Sequence, residues 1–196
     1  MSVYLKNLQE LVNPRYEGII NQSLAIMLTA LVASFFPWQF VRMWGRFVLL
    51  LMAYGIGNDL IACRVCPQYF TVGHFYDGER LESRLLKTMD PTLTAVVWGI
   101  VVTATLGGLG SLVLSAKFTM SGLDEALVMK SAFMYLLTVL AVADIVSRLV
   151  KFSVDPSQLA YGGIPAELRG GWQSTNARNA IGYLGLIGGG LFALFI

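Results

Sequence analysis

Long apolar stretches alternate with short charged loops along this chain. Residues 93–116, 126–150 and 179–196 are each apolar and long enough to cross a bilayer, and 22–63 has room for two more crossings, about 22–40 and 47–62. A spanning helix needs about 20 mostly apolar residues. In lipid, backbone polar groups must be satisfied inside helices or a closed barrel. The pattern therefore predicts one all-α domain over 1–196, a polytopic membrane helix bundle of about five spans.

Polar positions mark the breaks. Pro37, Trp38 and Gln39 close the first span, and Arg42 and Arg46 flank Trp44 in a corner. Gly55 and Gly57, followed by Asn58 and Asp59, predict bending or fraying near the end of the second span. If 22–63 is instead a re-entrant hairpin, that corner does not cross. Residues 63–90 form a polar loop, with a short amphipathic helix expected over 79–89, where Leu81, Leu85 and Leu86 share a face. Asp90-Pro91-Thr92 is a helix start, with Asp at the cap and Pro in the first turn. Lys117 ends the third span, and Asp124 and Glu125 suit the first turn of the fourth. Residues 152–177 read as a polar connector, with Pro156, Gly162-Gly163, Pro165 and Gly170-Gly171. Residues 5–12 read as a surface helix lying on the membrane or as a frayed tail, and 1–21 lack the pattern of a secretory signal.

Composition agrees with a lipid environment. The chain is 56% hydrophobic and 13% charged, against roughly 25% charged in soluble domains. A net charge of +2 and no basic run argue against nucleic acid. With five spans, one side collects Lys6, Arg15, Arg64, Arg80, Arg84, Lys87, Arg148, Lys151, Arg169 and Arg178, and the other collects Arg42, Arg46, Lys117 and Lys130. The excess of basic residues places the first side in the cytoplasm and the C-terminus outside.

Few residues are candidates for chemistry. Cys63 and Cys66 form a C-x-x-C, which suits a redox pair or half a zinc site. Their plainer role is as two small residues packed at a helix end. A zinc site needs about four ligands, and the other soft ligand is the single histidine, His74. His74 reads as a proton-transfer group or as one member of an interfacial aromatic belt with Tyr69, Phe70 and Phe75. Asp144 lies in an apolar run with Arg148 one turn later, which suits an ion relay or a self-neutralised pair near the membrane boundary. No metal centre or cofactor is implied, and lipids are the expected surroundings.

Small residues recur every four positions at Thr103, Gly107, Ser111 and Ser115, and again at Gly185, Gly189 and Ala193. Membrane helices associate through close backbone approach, so such stripes mark helix contacts, either within this chain or with another.

The stretch YGIGNDLIACRVCPQYFTVGH at 54–74 resembles the signature of an uncharacterised family of bacterial multi-pass membrane proteins. The matching positions are Tyr54, Gly55, Asp59, Val65, Cys66, Tyr69, Phe70, Thr71, Gly73 and His74, followed by Asp90-Pro91-Thr92-Leu93 and Trp98-Gly99. The chain has Asn58 and Leu60 where the family carries His and Gln, and Cys63 is outside the motif. The resemblance implies a bacterial inner-membrane protein and no known reaction. The reading that follows is a non-catalytic membrane subunit packing against other membrane proteins. Its alternative is a small ion or solute transporter using Asp59, Asp144 and Arg148, and a membrane redox component using Cys63 and Cys66 is a third.

Overall fold

The computed structural model describes residues 11–71, 85–87, 90–153 and 165–195. His74 and most of the 79–89 segment lie outside the described residues. A 3-10 turn at Pro14–Tyr16 leads into α1 (Glu17–Ala33). Then follow α2 (Gln39–Val65), a short α3 (Pro67–Thr71), α4 (Pro91–Ser121), α5 (Glu125–Ser153) and α6 (Ala166–Phe195).

Local chemistry sets these boundaries. The Asp90 carboxylate accepts from the backbone N–H groups of Thr92 and Leu93 at 2.8 and 3.2 Å and caps α4. Gly122 ends α4 in the left-handed region, at φ 67°. Asp124 caps α5 by accepting from Leu127 N at 2.8 Å. Among the described residues, four helices are long and apolar enough to cross a membrane: Pro14–Ala33, Gln39–Val65, Pro91–Ser121 and Glu125–Val150. The fifth long helix, α6, has 30 residues, but its first half carries Arg169, Gln173, Asn176, Arg178 and Asn179.

The burial pattern is that of a bundle in lipid. Leu28, Phe35, Leu106, Leu127, Ile145 and Leu184 face outward. Ser23, Thr94, Thr103, Ser111, Ser115, Ser147 and Ser174 are buried between helices. Small polar residues at helix contacts are typical where lipid removes the hydrophobic drive for association.

Four expectations change. The glycines of α2 do not loosen it, because the helix is continuous from Gln39 to Val65. A Cβ at Gly55 would lie 2.5 Å from Gly99 O, and one at Gly99 would lie 2.5 Å from Ile56 N. These glycines let α2 and α4 touch backbone to backbone. The 152–177 connector is helical from Ala166 onward. Ser174 and Thr175 are buried in the bundle, and Gly171 lies against the end of α2, where a Cβ would sit 3.4 Å from Val65 O. Residues 85–87 are not helical. Leu86 forms an isolated antiparallel bridge with Val12, and Lys87 N donates to Leu11 O at 2.7 Å. Leu85 and Leu86 both bury against Ile20 and Val101, which draws residues 11–13 onto the bundle. Tyr69 and Phe70 are buried rather than interfacial, packed with Cys63, Cys66, Ala95 and Trp172.

α2 runs antiparallel to α4, and α5 antiparallel to α6. Trp44 Nε1 donates to Gly108 O at 3.0 Å, while Gly55 meets Gly99. Tyr135 Oη donates to Gly185 O at 2.7 Å, and Ser174 Oγ donates to Ser147 O at 2.8 Å. This register gives the bundle two polar levels. One lies at the α1–α2 and α4–α5 corners, the other where α2, α5 and α6 meet.

Candidate functional site: a buried polar cluster

Arg178 is the centre of the second level. The register of α6 on α5 and α2 places it inward, and it is fully buried. Its Nη1 donates to Asp144 Oδ1 at 2.9 Å, and its Nε donates to Asn58 O at 3.4 Å. Its Nη2 has no hydrogen-bond partner among the described residues. Asp144 is held twice, because Arg148 Nε donates to its Oδ2 at 2.8 Å. The predicted Asp144–Arg148 pair is therefore present, but it is half of a triad. Arg148 is the outer member, with its side chain 71% exposed against 1% for Arg178.

α2 supplies the facing wall. Asn58 Nδ2 donates to Asp59 Oδ1 at 3.2 Å and to Asn179 Oδ1 at 2.9 Å. Asp59 is buried, and among the described residues Asn58 is its hydrogen-bond donor. Tyr54 lies one turn deeper. Its hydroxyl is buried without a hydrogen-bond partner and rests against Gly182, where a Cβ would come within 2.8 Å of it. The Oδ1 of Asn58 is a further buried oxygen without a partner and lies 3.7 Å from the same point. An apolar crevice lined by Leu50, Ala53, Phe133, Leu136, Leu137 and Leu140 opens between α2 and α5 and ends on Tyr54.

This arrangement has two acids, two arginines and several orphaned dipoles. Retaining an ion pair in such a site is costly, because desolvation offsets much of the Coulomb gain. Ionisable residues at membrane depth usually face a bundle interior and mark ion or proton pathways.

The other candidates fall elsewhere. Cys63 and Cys66 are buried and not disulfide-bonded, and both pack in the cluster around Trp172. Among the described residues no group of three or more His, Cys, Asp and Glu could hold a metal ion. Tyr69 Oη donates to Asn176 Oδ1 at 3.0 Å, which ties α3 to α6 above the cluster. The stripe of α4 faces inward: Thr103 Oγ1 donates to Gly99 O, Gly107 lies against Leu51, and Ser111 and Ser115 are fully buried. Gly185 lies against Val139, Gly189 lies against the Tyr135 ring, and Ala193 is half-buried. Both stripes are thus occupied by this chain's own helices.

Sequence reasoning missed Arg178, Asn58 and Asn179. In the sequence Arg178 counts with the basic residues at helix ends on the cytoplasmic side. One signal could have found it. Stepping back from Gly189 and Gly185 by three or four residues leads to Gly182, Arg178, Ser174 and Gly171, one continuous helix face.

The other polar level is simpler. Arg42 Nη2 and Arg46 Nη1 reach the Glu125 carboxylate at 2.8 and 2.7 Å. Arg42 Nη1 also donates to Phe36 O and Pro37 O at 3.0 and 2.9 Å and so closes the corner. No family model, curated protein or solved structure matches the chain, so the site is read from its own residues.

Proposed function

We propose that the chain is a small membrane transport protein that carries protons, alone or with a coupled solute, past the cluster of Asp59, Arg178 and Asp144. The observation that carries this reading is Arg178, wholly buried among three helices, with one amine of its guanidinium unpartnered among the described residues. A structural staple gains little from such a costly group, whereas a pathway needs one. Asp59 is the group that takes up and releases the proton. The excess of basic residues on one side supports an orientation with the N-terminus in the cytoplasm and the C-terminus outside, and the resemblance at 54–74 supports a bacterial inner membrane. No catalytic reaction is part of this reading.

The test is proton flux into proteoliposomes carrying an entrapped pH-sensitive dye under a potassium diffusion potential. Wild-type flux above that of protein-free vesicles is expected, with loss in Asp59→Asn and Arg178→Leu and retention in Glu125→Gln. Wild-type vesicles no leakier than empty ones would overturn the reading.

A second reading, the accessory subunit, keeps one specific observation. The outer face of α6 is open at Gly188 and Gly190, with Leu184, Ile187, Leu191 and Phe192 exposed beside them. The mass of the complex after gentle detergent extraction separates the two readings. A fixed heteromeric assembly favours the subunit role.

A further inference from the structure

We propose that Arg178 is an exchangeable counter-ion, held in turn by Asp144 and Asp59, with the proton on Asp59 deciding which of them holds it. The inference rests on the transport reading and adds its coupling device.

Four features point to this exchange. First, the guanidinium is not used up: Nη1 is on Asp144, while Nη2 is buried without a partner. Second, its Nε bond to Asn58 O places the head group beside the turn of α2 that carries Asp59. Third, Asp59 is buried and receives the neutral amide of Asn58, with no salt bridge of its own among the described residues. Fourth, Asp144 does not depend on Arg178 alone, because Arg148 holds its other oxygen at 2.8 Å.

The groups facing Asp59 are few. From α6 come Arg178 and Tyr183. On α2 itself are Tyr54 and Cys63. Tyr69 of α3 acts on Tyr183, Asp90 at the head of α4 acts on Cys63, and Asp144 of α5 acts on Arg178. Arg64, at the end of α2, also acts on Cys63, and among the described residues Arg178 is the cation that acts on Asp59 itself.

A protonated carboxyl in apolar surroundings needs no cation. A carboxylate there is costly unless it is paired. When the O–H bond of Asp59 breaks, the proton leaves to water and the electron pair stays on the carboxylate. The Nη2–H of Arg178 then donates to that carboxylate as the Nη1 bond to Asp144 opens. Asp144 keeps Arg148, so each acid retains one arginine. Reprotonation reverses the exchange.

The test uses the full chain in lipid bilayers, with isotope-labelled arginine nitrogens and aspartate carboxyl carbons (glutamate carboxyl carbons as well in Asp59→Glu), and solid-state NMR recoupling to detect short nitrogen–carboxyl contacts. At acid pH, the arginine–carboxyl contacts of the cluster should disappear in Asp144→Asn. At alkaline pH, a new contact should appear that survives Asp144→Asn and is lost in Asp59→Asn. Asp59→Glu should retain the pH-dependent contact, which guards against misfolding of the amide variant. Identical contacts at both pH values, or an alkaline contact indifferent to Asp59→Asn, would overturn the exchange. The measurement needs no gradient. Exchange without flux would therefore sink the transport reading alone, and flux without exchange would sink this inference alone.

Discussion

The two ends of the bundle solve the same electrostatic problem differently. At the corner end, Glu125 lies between Arg42 and Arg46, whose side chains are 26% and 42% exposed. At the cluster end, Asp144 also lies between two arginines, but one of them is 1% exposed. The corner triad ties loops where water can reach it. The cluster triad takes one arginine out of solvent altogether and leaves part of it unpaired. Similar charges therefore serve as a surface clasp in one place and as a stored imbalance in the other. The difference is set by the neighbouring helix, because α6 covers Arg178 and no described helix covers Arg46 in the same way.

Substitutions can sharpen or break this comparison. Arg178→Ala should have the largest effect, about 2–5 kcal/mol of lost stability, because it leaves the space of a fully buried side chain empty and removes its bonds to Asp144 and Asn58. Thermal denaturation in detergent measures it. If Arg178→Ala melts like wild type, the two ends are not different in kind. Gly182→Leu comes next, since its side chain would enter the space of the Tyr54 hydroxyl. Overpacking of this kind costs about 1–3 kcal/mol, and the double variant with Tyr54→Ala should recover part of the loss. Glu125→Gln should cost less than either, with its cost shrinking as salt is added, because exposed ion pairs are screened. A salt titration of the melting temperature checks this, and salt sensitivity of Arg178→Ala to the same degree would erase the contrast. Arg46→Ala and Arg148→Ala should be smallest, at about 1 kcal/mol or less, since both replace the exposed member of a triad.

The fold was largely legible, and particular residues explain why. Asp90-Pro91 announced the start of α4, and the α4 cap has that form. The apolar runs 93–116 and 126–150 fall inside single helices. The misreadings have a common cause. Gly55, Gly57, Gly170 and Gly171 were read by their backbone freedom, as places where a helix ends. Gly55 and Gly171 instead serve by what they lack, a side chain between two helices. Arg178 reads by its charge as the flank of a span that begins at Asn179, although polarity in a membrane bundle points inward as readily as outward. The site was half legible. Asp59, Asp144 and Arg148 stood out as acids and a neighbour in apolar runs. Nothing within a single helix shows that Arg178 reaches Asp144, since the two lie on separate helices joined only by register.

The Gly55–Gly99 crossing has a mechanical consequence. Two backbones locked at van der Waals range cannot slide without a clash, so α2 and α4 form a fixed frame. The α5–α6 pair is joined to itself by the Tyr135 and Ser174 hydroxyls, and it meets the frame through apolar contacts at Val128, Leu136 and Trp172, through Glu125 at the corner, and through Arg178 and the Asn58–Asn179 amide contact at the cluster. Any motion of this protein should therefore be that pair tilting as a unit against a stationary wall, with the charged arginine at the seam.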